Sequence, residues 1–474
     1  MAANREVHGE IQQGGVMRKV IVAIVAAVAL SGCVSGPTQS VSTGEGSGSG
    51  DLAAELKRLE SLAAKGDAEA EYRLGLMYSD GNGVPKDVAK ALVLYRASAA
   101  QGNADGENAL SVSYYLGEGV PKDLDRAISL ARQAAAQGNA KGEFNMGNDY
   151  LFGKGAPQDS LEAAKWFMLS AAQGYASAEF RLGWMYDEGV GFERDDALAL
   201  KWYRDAAAQG DSLAENNLGL MYDDGRGVPR SVAQARILYQ RAAQQGNVDA
   251  MNNLGNTYRF GDQARPKDYE QAVFWYQKSA ALGNAEGRNS LGVMYEEGLG
   301  VTKDVQHAVA LYRMGAEQGY GEAQACLGRV YEYGIGVPKD YAQAFGWYMA
   351  AARQGVGNAE NGLGAMFANG EGVVQDKATA EKLFRAAAAH GEHGGLLNIA
   401  EMYFDGVNHP SDMAAGYALA YVVSDMRDAP PDATSVRDSM GKRLDPTQLA
   451  RSKRLIEKMR RQDPLAVLDA ATGK

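Results

Sequence analysis

Turns of this chain set two acids side by side, among them Asp187-Glu188, Asp223-Asp224 and Glu296-Glu297. Adjacent carboxylates are the groups that cleave a glycosidic bond or hold calcium. That chemistry needs both acids to face one substrate with their pKa values driven apart. These pairs instead recur at one place of a repeating pattern, on a loop at a helix end, where acids are ordinarily solvated. His390, Glu392 and His393 form the one histidine cluster. Structural zinc takes four ligands at set spacings; no further ligand adjoins these three, and His390 stands where other segments carry Gln. Cys326 precedes Leu327-Gly328, where equivalent segments place Arg181, Asn217 or Asn253. A reactive thiol needs a positive neighbourhood, and the local sequence supplies none. The expectation is no catalytic residue, no metal and no cofactor, and the question moves to what positions these groups.

The formal net charge of −11 argues against a partner held by phosphates, because nucleic-acid binding draws on clustered Lys and Arg. The basic run Arg451, Lys453, Arg454, Lys458, Arg460, Arg461 alternates at helical spacing with Leu449, Leu455, Ile456 and Met459, which reads as a solvated helix face. The other cysteine, Cys33, ends a different pattern. From Met17 the order is Arg18-Lys19, an apolar run Val20 to Leu30, then Leu30-Ser31-Gly32-Cys33. Eleven apolar residues suit a signal and fall short of the roughly 20 needed to span a bilayer. The last four resemble the bacterial lipobox. That resemblance implies cleavage before Cys33 and lipid on its sulfur, with Val34 at the next place favouring sorting to the outer membrane. Residues 1–16 fit no part of the signal, which makes Met17 the expected start.

Residues 33–50 then read as a lipidated Cys followed by a flexible Ser/Gly/Thr tether. Residues 51–65, with Leu52, Leu56, Leu59 and Leu62 at spacings of three and four, predict an amphipathic capping helix. After it the sequence repeats itself every 36 residues, from Gly66, Gly102, Gly138, Gly174, Gly210, Gly246, Gly283, Gly319, Gly355 and Gly391, with one insertion around Asp262 to Lys267. In the fifth copy Leu218 to Tyr222 falls in a first helix, and Ala235, Leu238, Tyr239 and Ala242 make the apolar stripe of a second. Between them Asp224-Gly225-Arg226-Gly227-Val228-Pro229 is a turn, since Gly accepts the left-handed conformation that ends a helix and Pro tolerates only a helix's first turn. Asn247 stands ready to cap the helix that follows.

A lone helix pair cannot cover its apolar face, so the copies must stack. The predicted fold is all-α, a superhelical α/α solenoid of about ten helix-turn-helix units over 66–428, closed by capping helices and a tail at 429–474. Trp166-Phe167, Trp202-Tyr203, Trp275-Tyr276 and Trp347-Tyr348 share one place with Tyr95, Tyr239, Tyr312 and Phe384 and predict a core ladder. Gly75, Gly147, Gly183, Gly219, Gly255, Gly292, Gly328 and Gly364 share another, where a missing side chain lets helices close up despite a propensity cost of about 1 kcal/mol each.

Ala-x-x-x-Leu-Gly-x-Met-Tyr, then Gly-x-Gly-Val-Pro-Lys-Asp, then Ala-x-x-x-Tyr and a closing Ala-Ala-x-Gln-Gly resemble the Sel-one-like repeat family, cousins of tetratricopeptide repeats, over roughly 66–424. The resemblance implies a helical solenoid and an adaptor role with varied protein partners. Three places depart from it: Ser111-Val112-Ser113, Gly191-Phe192-Glu193-Arg194, and Val407-Asn408 in the tenth copy.

Taking Ala250, Leu254 and Tyr258 as the buried stripe of a first helix, 100° per residue turns Asn252 and Asn256 away from it. The same two places hold Tyr72 and Leu76, Phe144 and Asn148, Phe180 and Trp184, and Asn216 and Leu220. By analogy with tetratricopeptide domains these line a concave face, so Tyr72, Phe144, Phe180, Trp184, Asn216, Asn252 and Asn256 are the candidate partner-binding residues, with packing between repeats as the competing role for Phe180 and Trp184. The functional expectation is a non-catalytic scaffold of the bacterial cell envelope, lipid-anchored through Cys33, facing the periplasm and holding a protein or peptide. The alternatives are a regulator or enzyme acting on cell-wall glycan, and a surface or secreted factor that binds host protein.

Overall fold

The computed structural model describes residues 48–261, 266–408 and 410–473, and among these there are helices and no strands. The helices run in antiparallel pairs of 12 or 13 residues each, as Ala68–Asp80 with Val88–Ala100, or Ser212–Asp224 with Val232–Gln244. Two compact units divide at Ala250, and each is built the same way.

The punctuation explains the pairs. Gly225 closes a first helix at φ 74° with its N–H on the Met221 carbonyl, and Gly227 follows at φ 66°, two left-handed residues that a side chain would strain. The Asp that ends the Gly-x-Gly-Val-Pro-Lys-Asp motif then caps the second helix: Asp87, Asp123, Asp304 and Asp340 each accept a backbone N–H two or three residues on. In the tenth pair, where the second Gly is missing, Asn408 takes the left-handed conformation at φ 67° and its side chain donates to the Lys377 carbonyl at 2.6 Å. Asn is the residue that tolerates that geometry best after Gly.

Packing within a pair centres on one ring. Tyr203, Tyr239, Tyr276 and Tyr312 are fully buried, and each packs against the first-helix glycine of its own repeat. A Cβ on Gly219 would stand 2.6 Å from the Tyr239 ring and one on Gly328 2.5 Å from Tyr348. The ring and the glycine are therefore a matched pair. In the second repeat Ala131 replaces the ring, and Ser111 fits where glycine stands elsewhere, donating its hydroxyl to the Ala127 carbonyl at 2.6 Å. In the tenth, Ala420 faces Ala400 by the same logic. The ladder is narrower than the aromatic pairs in the sequence imply. Phe167, Tyr203, Tyr276 and Tyr348 form it, while Trp166, Trp202 and Trp347 lie half-exposed beside it, because adjacent helix positions point 100° apart; Trp275 is buried as well. The turn that lacks Pro-Lys is closed instead by Phe192 stacked on Tyr186, 4.5 Å between ring centres.

Each unit ends in helices of its own. Gly48–Ala63 buries Leu59 against Ala70, Leu74 and Met77. Past the tenth pair, Asp445 and Gln448 form a reciprocal capping box at the start of Pro446–Met459, which buries Leu455, Ile456 and Met459. The basic residues of that helix are only partly a solvated face, for Arg451 pairs with Asp412 at 2.7 Å and Arg460 with Asp425. The last helix, Pro464–Thr472, brings Asp469 back to Arg385 of the ninth repeat at 2.7 and 3.0 Å.

Candidate protein-binding face

Within each unit the first helices of neighbouring repeats lie against one another while the second helices stay farther apart, so each unit bends toward its first-helix side. A first helix is thereby covered on three sides: by its own second helix and by the repeats before and after. The second, sixth, ninth and thirteenth helix positions make a stripe that is partly open in most repeats, although Arg181 and Ser290 at the sixth position are buried. In the first unit the ninth positions are Leu76, Val112, Asn148, Trp184 and Leu220, all half-buried.

Of the seven candidates, only Trp184 and Asn256 lie on that stripe. Tyr72, Phe144, Phe180, Asn216 and Asn252 hold the fifth position, and all are buried. Tyr72 packs beside Tyr95 with ring centres 6.4 Å apart, and its hydroxyl accepts from Lys141 at 3.2 Å. Phe144 lies between Phe167 and Tyr175, at 5.7 and 5.3 Å, and Phe180 against Tyr203 at 6.0 Å. Asn216 donates to Asn217 at 3.3 Å, and Asn252, 0% exposed, donates to Asn284 at 2.9 Å. The helical-angle argument treated a first helix as having one buried stripe. The fifth position faces the following repeat, as Asn145 donating to Asn108 and Asn398 donating to Asn361 make plain. Asn256 accepts from the Tyr276 hydroxyl at 2.6 Å. Trp184 packs against the clusters around Phe180 and around Phe144 while keeping part of its surface open.

The sequence carries one signal that its motifs left unread. A Glu recurs at the fourth position of the first helix, 30 residues before the Gln that closes the repeat, and the two meet. Gln101 donates to Glu71 at 2.7 Å, Gln137 to Glu107 at 2.8 Å, Gln173 to Glu143 at 2.7 Å, Gln209 to Glu179 at 2.7 Å and Gln245 to Glu215 at 2.8 Å. In the ninth repeat His390 takes the Gln's role and sets Nδ1 2.7 Å from Glu360. A clasp from the closing loop to a buried carboxylate, made in the first five repeats and again in the ninth, is an architectural signature rather than a reaction centre.

It matches a known pattern. The Sel1 repeat model fits nine consecutive segments, 68–103, 104–139, 140–175, 176–211, 212–247, 248–284, 285–320, 321–356 and 357–392. This chain belongs to the Sel1 repeat family. The tenth pair, His393–Asp405 with Met413–Ser424, continues the build beyond the matched segments. Among solved structures, the Sel1 chain is 33% identical to c5321, a protective antigen present in uropathogenic Escherichia coli strains that displays an SLR fold, with 88% of each chain covered and a TM-score of 0.64. A Sel1 repeat protein from Oxalobacter formigenes is 31% identical over 52% of this chain and 96% of its own, with a TM-score of 0.46. No curated protein matches the chain.

In the Sel1 setting the paired acids separate. The first of each pair turns into the protein: Asp187 accepts from the Tyr203 hydroxyl at 3.3 Å and pairs with Arg226, and Glu296 accepts from Tyr312 at 2.7 Å and from Arg329 at 2.6 and 2.8 Å. Burial raises the Glu296 pKa, but Arg329 and Tyr312 outweigh it and hold the carboxyl below its usual range. The second acid, Glu188 or Glu297, is exposed, so the two carboxylates diverge. Asp223 and Asp224 are likewise held apart, by Arg230 at 3.4 Å and Arg226 at 3.4 Å. His393 meets the Asp428 carbonyl at 3.2 Å and Glu392 caps Gly394 at 2.8 Å, so the histidine cluster is dispersed over three separate partners. Among the described residues no group of three His, Cys, Asp or Glu side chains could hold a metal ion. Burial pushes the Cys326 thiol up to about 11, the opposite of an activated nucleophile. Asp149, buried where most repeats place Met, is driven by desolvation up to about 7 against the opposing pull of Lys154. Cys33, the signal segment and the tether lie outside the described residues. No described helix is long and apolar enough to cross a membrane.

Proposed function

We propose that this chain is a non-catalytic adaptor of the bacterial cell envelope that holds a protein or peptide on the first-helix side of its repeats. Sel1 repeats are in general protein-interaction modules, which supports the adaptor part. The observation that carries the placement is the half-open stripe Leu76, Val112, Trp184 and Leu220, where large apolar side chains stay partly uncovered after the repeats have stacked. The test is cross-linking capture from cells with the tagged full-length chain, beside a folded Trp184→Ala/Leu220→Ser variant. A partner recovered by the parent and lost by the variant supports this face; equal recovery moves the binding surface elsewhere.

The envelope part rests on Arg18-Lys19, the apolar run and Leu30-Ser31-Gly32-Cys33. Metabolic labelling with a fatty-acid analogue should mark the parent and not Cys33→Ser; labelling that survives the substitution removes the anchor. A second reading, a surface factor that meets host protein, draws support from the relative described as a protective antigen. Protease treatment of intact cells separates the two, since a periplasm-facing chain resists it. An action on cell-wall glycan would need the acids at Asp223 and Asp224, and loss of glycan cleavage in an Asp223→Asn/Asp224→Asn variant that still captures its partner would favour it.

A further inference from the structure

The last helix of the chain shows what the space between two second helices can hold. Pro464–Thr472 lies against Met413–Ser424, the second helix of the tenth pair. Its Val467 and Leu468 share one buried cluster with Ala415, Leu419 and Val422, the third, seventh and tenth residues of that second helix. Asp469, the next residue, reaches the repeat before and takes the Arg385 guanidinium in a forked pair at 2.7 and 3.0 Å. Arg385 is the ninth residue of Lys377–Ala389, and it also donates at 3.2 Å to the hydroxyl of Tyr403, the eleventh residue of His393–Asp405. A short helix is thus seated by one apolar edge and one carboxylate.

The seat recurs in other repeats, without the helix. Arg313, ninth in Val305–Glu317, donates to Tyr331, eleventh in Gly321–Tyr333, at 2.8 Å, and Arg204 donates to Tyr222 at 3.0 Å. At Arg313 nothing takes the place of Asp469: the guanidinium is exposed, and among the described residues no carboxylate pairs with it. The third, seventh and tenth residues of the next second helix, Tyr341–Ala352, are Gln343, Trp347 and Ala350. Their counterparts in the tenth pair are buried, whereas Gln343 is exposed and Trp347 and Ala350 are half-buried. Trp347 and Tyr331 pack on one cluster, so the indole and the arginine–tyrosine pair border the same ground. At the Arg204 pair the seventh residue is Leu238, already buried, which leaves the Arg313 seat the more open of the two. An exposed arginine–tyrosine contact is by itself ordinary. What distinguishes this one is that the same pair, at the same helix positions of the same unit, is filled elsewhere by a helix the chain supplies. Arg, Tyr and Trp are also the side chains most enriched where partners bind tightly.

We propose that the space between Val305–Glu317 and Tyr341–Ala352 receives a short amphipathic helix of a separate protein that carries a carboxylate beside its apolar edge. The carboxylate takes Arg313 as Asp469 takes Arg385, and the apolar edge covers Trp347 and Ala350. This surface is on the second-helix side and is independent of the first-helix face proposed above.

The experiment titrates the full-length protein into a fluorescent, C-terminally amidated peptide of residues 462–474, the chain's own acid-bearing helix, and reads anisotropy. The peptide's outer face is bridged to hold it helical, because so short a helix is marginal alone in water. The expected result is binding of this peptide, binding weaker by about tenfold or more for its Asp469→Asn form, and a similar loss with Arg313→Gln or Trp347→Ala protein of unchanged helical content. Arg313 is exposed, so its substitution spares the fold even if that of Trp347 does not. Equal binding of the Asn form, full binding by Arg313→Gln, or no binding at all overturns the assignment. A loss in Arg385→Gln protein but not in Arg313→Gln also overturns it, since the peptide would then be replacing the chain's own helix. Concentration-dependent dimerisation of the full-length protein, abolished by Arg313→Gln, would make the occupant a second copy's last helix and overturn the separate partner.

Discussion

The match between ring and glycine inside each repeat can be broken from either side and restored from both. In Gly219→Ala the new methyl would sit 2.6 and 2.8 Å from two atoms of the Tyr239 ring, about 1 Å inside contact distance, and a fully buried ring has little room to retreat. Overpacking of this kind costs about 1–3 kcal/mol, while exchanging Gly for Ala in a helix returns about 1. The net effect is a destabilisation of about 1 kcal/mol. Tyr239→Ala removes a buried ring and costs about 3–5 kcal/mol. With the ring gone the alanine at 219 meets nothing, so its helix propensity is realised in full and it fills part of the hole. The double variant should therefore be about 2 kcal/mol more stable than the two single effects would give together. It would imitate the arrangement already present at Ser111 with Ala131 and at Ala400 with Ala420. Repeat arrays unfold in parts, so the readout is native-state amide exchange over residues 212–244, supported by urea melts. Single effects that add to within about 0.5 kcal/mol would refute the argument, because contact-mediated coupling cannot then link the two positions.

Other outcomes follow from the same contacts. Tyr239 buries its hydroxyl without a partner, whereas Tyr348 donates to buried Glu332 at 2.6 Å. Tyr239→Phe should be neutral or stabilising and Tyr348→Phe destabilising by about 1 kcal/mol, read from urea midpoints; the reverse order would discredit both hydrogen-bond assignments. Gln209→Leu leaves the buried Glu179 carboxylate without its donor and should cost about 1–3 kcal/mol, whereas His390→Gln, which restores the residue of other repeats, should be tolerated. Asp149 has its folded pKa raised to about 7, so its contribution is fully present below about 4 and lost as pH rises through 7. Asp149→Asn should therefore gain stability relative to the parent between pH 4 and 7, by up to about 4 kcal/mol, and a flat difference across that range in thermal melts would sink this account.

Much of the architecture was legible before any coordinates. Repeat length, helix pairing, left-handed glycines and the need for close approach at Gly219 and its counterparts all follow from local rules, each repeated often enough to reinforce the others. The role of His390 as a substitute Gln was legible for the same reason. The Glu–Gln clasp was present in the sequence as a fixed spacing of 30, but hydrophobic periodicity does not weigh a recurring polar residue.

The sequence by itself determined what each residue does along its own helix: where helices start and stop, and which side chains form the apolar stripe. It could not decide what happens between helices. Tyr72, Phe144, Phe180, Asn216 and Asn252 fall outside the single buried stripe that the helical period marks, and only the packing of the helices around them shows that this direction is also interior. Trp166 and Phe167 are equally apolar, and only the crossing of the two helices decides which ring meets the glycine. Adjacent acids read as a pair until the backbone sends Asp187 to Tyr203 and Arg226 and leaves Glu188 in solvent. Side-chain direction along a helix is set by its period, but burial is set by everything that packs against it, and a solenoid packs its first helices from three sides.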